Sequence, residues 1–172
     1  MTLPSTYRDR NCSIARALEV VGERWTLLIV RDAFYGVRRY GDFAVQLGVP
    51  RAVLTDRLKT LVAEGVMERG KDEQGALEYR LTGKGRELWP VLRALMGWGD
   101  AFYSPQGPRR SFRHAADGGL VDAGGRCAAC GRDVPAPDLL VEPGPGFDAG
   151  APAEDPVSAL IDTPRPLLEP IS

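Results

Sequence analysis

Long apolar runs are missing from these 172 residues. No stretch approaches the roughly 18 consecutive apolar residues that a bilayer crossing requires. The opening MTLPSTYRDRNCS also lacks the apolar centre of a secretory signal. A membrane partner is therefore not expected, and a cytoplasmic address is. Cysteine is scarce and odd in number, at three. That excludes a disulfide scaffold and leaves thiol chemistry or metal binding. Histidine occurs once. Ser-His-Asp order, a Gly-rich phosphate loop between strand and helix, and a carboxylate pair in an acid/base setting are all absent, so the chain reads as a non-enzyme.

Charge is nearly balanced overall, at a net −1, but it is unevenly distributed. Residues 1–104 carry 16 Lys and Arg against 13 Asp and Glu, whereas residues 105–172 carry 6 against 10. A mildly basic front thus precedes an acidic rear, and the whole-chain value conceals a front suited to an anionic partner. Texture changes at the same point. Helical periodicity is dense up to Tyr103, and Gly and Pro dominate from Ser104 onward.

Apolar spacing of three and four predicts a first helix over Ser13–Val21 with Ser13 as its cap, and a buried second helix from about Arg24 to Phe34. A short third helix follows over Tyr40–Gln46. Gly48, Val49 and Pro50 make a tight break, and a fourth helix runs from Pro50 to Glu64. On a wheel Leu54, Leu58 and Leu61 share one narrow sector. Ala52, Thr55, Asp56, Lys59 and Ala63 occupy the far side, small and polar enough to approach base edges. Arg51, Thr55 and Lys59 are the first candidate DNA contacts. Asp56 would be repelled by phosphate unless it accepts from a cytosine amino group or restrains a neighbouring cation.

Val66–Arg69 and Leu77–Leu81 read as two strands joined by a glycine-flanked polar loop, a hairpin wing. Arg69, Lys71 and Arg80 are its candidate phosphate contacts. Helix, tight turn, helix, hairpin and helix in this order define a reading head between about Tyr40 and Leu81. The fold class is accordingly mainly α with a small β-hairpin wing. A fifth helix is predicted from Thr82 to Tyr103, bent at Pro90. Its stripe of Leu88, Val91 or Leu92, Leu95, Trp98 or Gly99, and Phe102 has the three-four alternation of a coiled-coil seam. It predicts a homodimer through the first and fifth helices, with burial against its own domain as the alternative. Two heads would read a roughly palindromic duplex with half-sites about one helical turn, or a multiple, apart.

Residues 12–103 contain, in order, Cys12-Ser-Ile-Ala-Arg-Ala-Leu, Gly22-Glu-Arg-Trp25-Thr-Leu-Leu-Ile, Arg39-Tyr-Gly-Asp-Phe43, Leu54-Thr-Asp-Arg57-Leu58, Gly65-Val-Met-Glu-Arg69, Tyr79-Arg-Leu-Thr82-Gly-Lys-Gly85 and Trp98-Gly99. With this ordered set the stretch resembles the HxlR-type winged-helix regulators. It implies a dimeric regulator that binds double-stranded operator DNA, commonly as a repressor on the nucleoid, in some cases responding to an oxidant, electrophile or small ligand. It adds Arg39 and Arg57 to the candidate DNA contacts, although the wheel leaves a structural salt bridge open for Arg57. Cys12 matches the position of a sensing thiol, where a helix dipole and Arg8, Arg10 or Arg16 would favour thiolate; a packing residue is the other reading. A winged-helix protein–protein or ligand-binding module that binds no operator remains the rival function.

Three units follow: residues 1–104 form the winged helix-turn-helix and dimerisation domain, 105–142 a small zinc-ribbon-like extension, and 143–172 a disordered Pro- and Gly-rich acidic tail. In the extension Cys127-Ala-Ala-Cys130-Gly131 is half of a zinc site, and His114 and Asp117 are the upstream ligands that could complete it. Asp117 stands where extended relatives of the resembled family carry a cysteine. Zinc, a ribbon that folds without metal, and a redox-active thiol pair are all open. No cofactor is required for the head itself. Leu139, Leu140 and Val141 predict a strand returning to this small unit.

Overall fold

The computed structural model describes Tyr7, residues 11–148 and residues 155–171. Helix α1 covers Ser13–Val21 and α2 covers Thr26–Phe34. The residue capping α1 is Cys12, in extended backbone and without a side-chain cap bond, so Ser13 is the first helical residue rather than the cap. Helix α2 starts two residues later than its periodicity suggests. Glu23 to Thr26 forms a turn in which the Thr26 N–H bonds the Glu23 carbonyl at 3.0 Å.

Helix α3 (Tyr40–Leu47) ends on Gly48, whose φ of 57° is a left-handed cap. Pro50 then leads into α4 (Arg51–Ala63). Leu54, Leu58 and Leu61 are fully buried beneath α4, against a core that includes Ile29, Phe34, Val37 and Phe43. Burial of each such side chain contributes roughly 1.5–3 kcal/mol, which fixes the rotation of α4 and leaves its other face outside. Strands β1 (Met67–Lys71) and β2 (Leu77–Leu81) pair antiparallel, with Met67 opposite Leu81 and Lys71 opposite Leu77. The Tyr79 N–H bonds the Arg38 carbonyl at 2.8 Å, tying this hairpin to the loop before α3.

The expected single helix from Thr82 to Tyr103 is two: α5 (Gly83–Arg86) and α6 (Trp89–Tyr103). Thr82 caps α5, its hydroxyl accepting from the Gly85 N–H at 3.2 Å. Pro90 lies in the first turn of α6, where its missing N–H costs nothing, so the chain breaks before the proline instead of bending at it. Helix α6 divides its stripe between two surfaces. Trp89 and Leu92 face the protein's own core, whereas Val91, Leu95, Trp98 and Phe102 are exposed.

After α6, strands β3 (Arg110–His114), β4 (Leu139–Pro143) and β5 (Arg165–Pro166) form an antiparallel sheet in that order. Phe112 lies opposite Val141, and Val141 opposite Arg165. The expected return strand at Leu139–Val141 is therefore present. Trp89 joins this sheet to the head. Its ring is 4.9 Å from Phe34 and 5.3 Å, edge-on, from Phe112. Arg93, also buried, lies 4.1 Å over the Phe112 ring and donates to the carbonyls of Val121 and Asp122.

The stretch 143–172, disordered by composition, is described over 143–148 and 155–171, and there it has structure. Helix α7 (Pro156–Ile161) is capped by Asp155, and β5 extends the sheet. Ile161 and Leu167 are buried. The Leu168 N–H bonds the Phe34 carbonyl at 2.7 Å, and the Ile171 N–H bonds the Gly36 carbonyl at 3.0 Å. So few apolar residues cannot build a core of their own, but they suffice to cover one that already exists. Among the described residues no helix is long and apolar enough to cross a membrane.

Candidate functional site

The outward face of α4 presents Arg51, Ala52, Asp56, Lys59 and Ala63, all exposed. Tyr40, at the start of α3, sets this face. Its hydroxyl donates to the Arg51 carbonyl at 3.0 Å and lies 3.2 Å from the Thr55 hydroxyl. With the Tyr40 proton committed to Arg51, Thr55 must supply the proton between the two hydroxyls. Thr55 is half-buried and can offer DNA only its lone pairs and its methyl group. Tyr40 was missing from the candidate residues because an aromatic on the apolar side of a short helix reads as core. Its hydroxyl's role depends on the crossing of α3 and α4, which spacing does not reveal.

The candidate cations fall into two groups. Arg51, Lys59, Arg69 and Lys71 are exposed and have no ion-pair partner among the described residues. Lys59 and Arg69, with Thr55, Val62 and Tyr79, line a hollow of about 400 Å³ between α4 and the hairpin. Arg57, Arg39 and Arg80 are already engaged. Arg57 pairs with Asp56 and, at 3.8 Å, with Glu23. Asp56 therefore holds a neighbouring cation, one of the two arrangements that make an acid tolerable on this face. Arg39 pairs with Asp72 at 2.8 Å.

Asp72 also closes the wing loop, accepting from the N–H groups of Gln74 at 3.0 Å and Ala76 at 2.8 Å. The Ala76 N–H foremost, then Arg39 and the Gln74 N–H, hold its carboxyl below the usual range. Arg80 is drawn to Glu78, which Arg38 also approaches at 3.7 Å.

Cys12 is an exposed free thiol at the cap of α1. Of the arginines invoked beside it, Arg8 and Arg10 lie outside the described residues.

The extension gathers His114, Asp117, Cys127 and Cys130 so that one ligand atom of each lies within 4.8 Å of all the others. His114 Nδ1 is 3.0 Å from the Asp117 carboxylate and 3.5 Å from Cys130 Sγ. Cys127 Sγ, which is buried, is 3.3 Å from Asp117 Oδ1. The Gly119 N–H, with the two thiols and the imidazole, holds the Asp117 carboxyl far below the ordinary carboxylate range. At Cys130 the Arg132 N–H favours thiolate, but the adjacent Asp117, burial and Cys127 outweigh it and push the thiol upward. Two thiols, an imidazole and a carboxylate at this spacing can hold a divalent metal ion. The four residues read from sequence are thus brought together.

A helix pair with a buried seam and an outward cationic face, followed by a paired hairpin, defines a winged helix-turn-helix protein. The model of the HxlR-like helix-turn-helix family matches residues 20–107. The chain is 45% identical over 147 residues to the HTH-type transcriptional regulator Rv3095 of Mycobacterium tuberculosis (strain H37Rv), covering 84% of this chain and 93% of the relative. The regulator Mb3122 of Mycobacterium bovis matches to the same extent. The crystal structure of PA1607, a candidate transcription factor, superposes with a TM-score of 0.56 at 37% identity, covering 86% of this chain and 98% of that one.

This chain belongs to the HxlR-like helix-turn-helix family and is a transcriptional regulator, not an enzyme. The mycobacterial match is too long to stop at the head and must run through the extension. The regulator YvaP of Bacillus subtilis, by contrast, matches over 93 residues, 52% of this chain.

Proposed function

We propose that the protein is a homodimeric repressor that binds a pseudo-palindromic operator on the nucleoid, in the cytoplasm. The observation that carries this reading is the set of unpaired cations on the outward side of α4 and the hairpin, with Arg51 and Lys59 on the helix and Arg69 and Lys71 on β1. Such cations release counterions from phosphate and give binding its salt dependence, while the small far side of α4 lets it enter a major groove. Thr55 presents its methyl group and lone pairs to a base edge. Arg39 and Arg57 reach phosphate by exchanging Asp72 and Asp56 for it.

The partner copy docks on the exposed apolar face of α6 together with Ile14 and Leu18 of α1, all exposed in a single chain. Val91, Leu95, Trp98 and Phe102 recur at four, three and four, the seam of a helix pair about a twofold axis. Cys12, exposed at the cap of α1, is where an oxidant or electrophile would act on the dimer.

The decisive test is fluorescence anisotropy with operator fragments selected from genomic DNA, over a salt series. Affinity should fall steeply with salt, and Lys59→Ala or Arg51→Ala should weaken it further, each lowering the salt slope by about 1. Indifference to salt and to both substitutions would leave a protein–protein module instead. Leu95→Glu should yield monomers by analytical ultracentrifugation. Diamide should change the operator affinity of the wild type and not of Cys12→Ser; equal responses would remove Cys12 as the signal input.

A further inference from the structure

Residues 114–119 and 127–132, His-Ala-Ala-Asp-Gly-Gly and Cys-Ala-Ala-Cys-Gly-Arg, are two copies of one backbone device. In the first, the Gly118 N–H bonds the His114 carbonyl at 2.8 Å and the His114 N–H bonds the Gly119 carbonyl at 2.9 Å. In the second, the Gly131 N–H bonds the Cys127 carbonyl and the Cys127 N–H bonds the Arg132 carbonyl, both at 2.9 Å. The fifth residue of each is a left-handed glycine, with φ of 72° at Gly118 and 69° at Gly131. The sixth residue of each turns its N–H onto the second ligand, Gly119 onto Asp117 Oδ1 at 2.9 Å and Arg132 onto Cys130. Each copy therefore aims the side chains of its first and fourth residues to one side and neutralises part of the charge of the fourth. The two copies face each other.

Gly119 supplies an independent observation. A Cβ there would sit 2.5 Å from Cys127 Sγ and 2.7 Å from the Ala129 side chain, so the close approach of the two turns requires glycine. Ligands at about 2.0–2.3 Å from a tetrahedral zinc lie roughly 3.3–3.8 Å from one another. Neighbouring ligand atoms here lie 3.0 to 3.6 Å apart and all four lie within 4.8 Å of one another, so side-chain adjustments alone bring them onto that shell.

We propose that the extension holds one zinc ion in a closed His114, Asp117, Cys127, Cys130 site whose role is structural. Binding displaces the two thiol protons to solvent, and the ion takes four protein donors, which leaves no open position for a substrate or an activated water. Two thiolates and an imidazole select zinc over the hard cations that an all-oxygen site would take. The ion fastens the 114–132 segment whose Val121 and Asp122 carbonyls receive Arg93 from α6, so it steadies the extension against the helix. This inference does not depend on operator binding, and its test involves no DNA.

The full chain, purified without chelator, should contain one zinc per chain by elemental analysis. Cobalt added to the metal-free protein should give thiolate-to-cobalt charge-transfer bands and the intense visible bands of tetrahedral cobalt. Cys130→Ser should lose most of the charge-transfer intensity. Asp117→Cys should keep the tetrahedral spectrum, gain charge-transfer intensity and bind zinc tenfold or more tightly, which keeps the test decisive even if Cys130→Ser misfolds. Folded wild-type protein with substoichiometric zinc and only octahedral cobalt bands would overturn the proposal. So would recovery of Cys127 and Cys130 as a disulfide in freshly purified protein.

Discussion

The ring of Trp89 meets Phe112 edge-on at 5.3 Å, and through that contact the C-terminal sheet shares its core with the reading head. Trp89 is buried, with Phe34 on its other side. Trp89→Ala should cost about 3–5 kcal/mol. Loss should appear as one cooperative transition shifted down by roughly 10 °C, not as selective melting of the sheet. Two transitions by calorimetry, one of them at the wild-type temperature, would mean that head and extension are independent.

Tyr40 bonds α4 through its hydroxyl and packs its ring against the core, so Tyr40→Phe removes the bonds and keeps the packing. Deleting one such bond costs about 0.5–1.5 kcal/mol. The melting temperature should move little, whereas operator affinity should drop by about threefold to tenfold because Arg51 and Thr55 lose their orientation. Anisotropy at fixed salt decides it, and unchanged affinity would show that packing alone sets the helix.

The wing loop should respond to acid and not to base. A carboxyl held below its ordinary value favours the folded loop at every pH above the unfolded carboxylate range, near 3.9, and that contribution disappears as pH falls through the lower, folded value. Amide resonances of Gln74 and Ala76 should therefore stay constant from neutral pH down to about 5 and titrate with a midpoint below that of an unperturbed aspartate. A midpoint at or above the ordinary value would contradict the Asp72 contacts.

Gly36→Ala should loosen residues 165–171. The backbone at Gly36 has φ of 96°, and a Cβ there would lie 1.9 Å from the Glu169 carbonyl oxygen. Strain of about 1–3 kcal/mol is expected. Limited proteolysis should cut within 165–171 much faster than in wild type; equal rates would show that the segment is not held by this contact.

The head was legible because it obeys local rules: the Leu54, Leu58 and Leu61 sector, the Gly48 cap and the strand alternation each reflect spacing along one element. The four ligand residues were legible for the same reason, since each pair is separated by two alanines. What escaped depends on distant surfaces. Pro90 reads equally as a bend within a helix or as the first turn of a new one, and only the burial of Trp89 and Leu92 decides. The pairing of Arg57 with Glu23 and of Arg39 with Asp72 joins different elements, so a count of cations could not separate engaged from free. Ile161 and Leu167 look too sparse to fold because the surface they cover belongs to α3 and β4.

The bonds from Leu168 and Ile171 to Phe34 and Gly36, together with the Arg38 contact to the Leu168 carbonyl across 130 residues of sequence, make the loop before α3 wait for residues far downstream before it is completed. On the ribosome α2, α3 and α4 emerge long before the segment that finishes their packing. Closing so long a loop carries an entropic cost before its contacts form, and it slows folding. A nascent head can thus form its helices early but acquires its finished surface only once residue 171 has emerged.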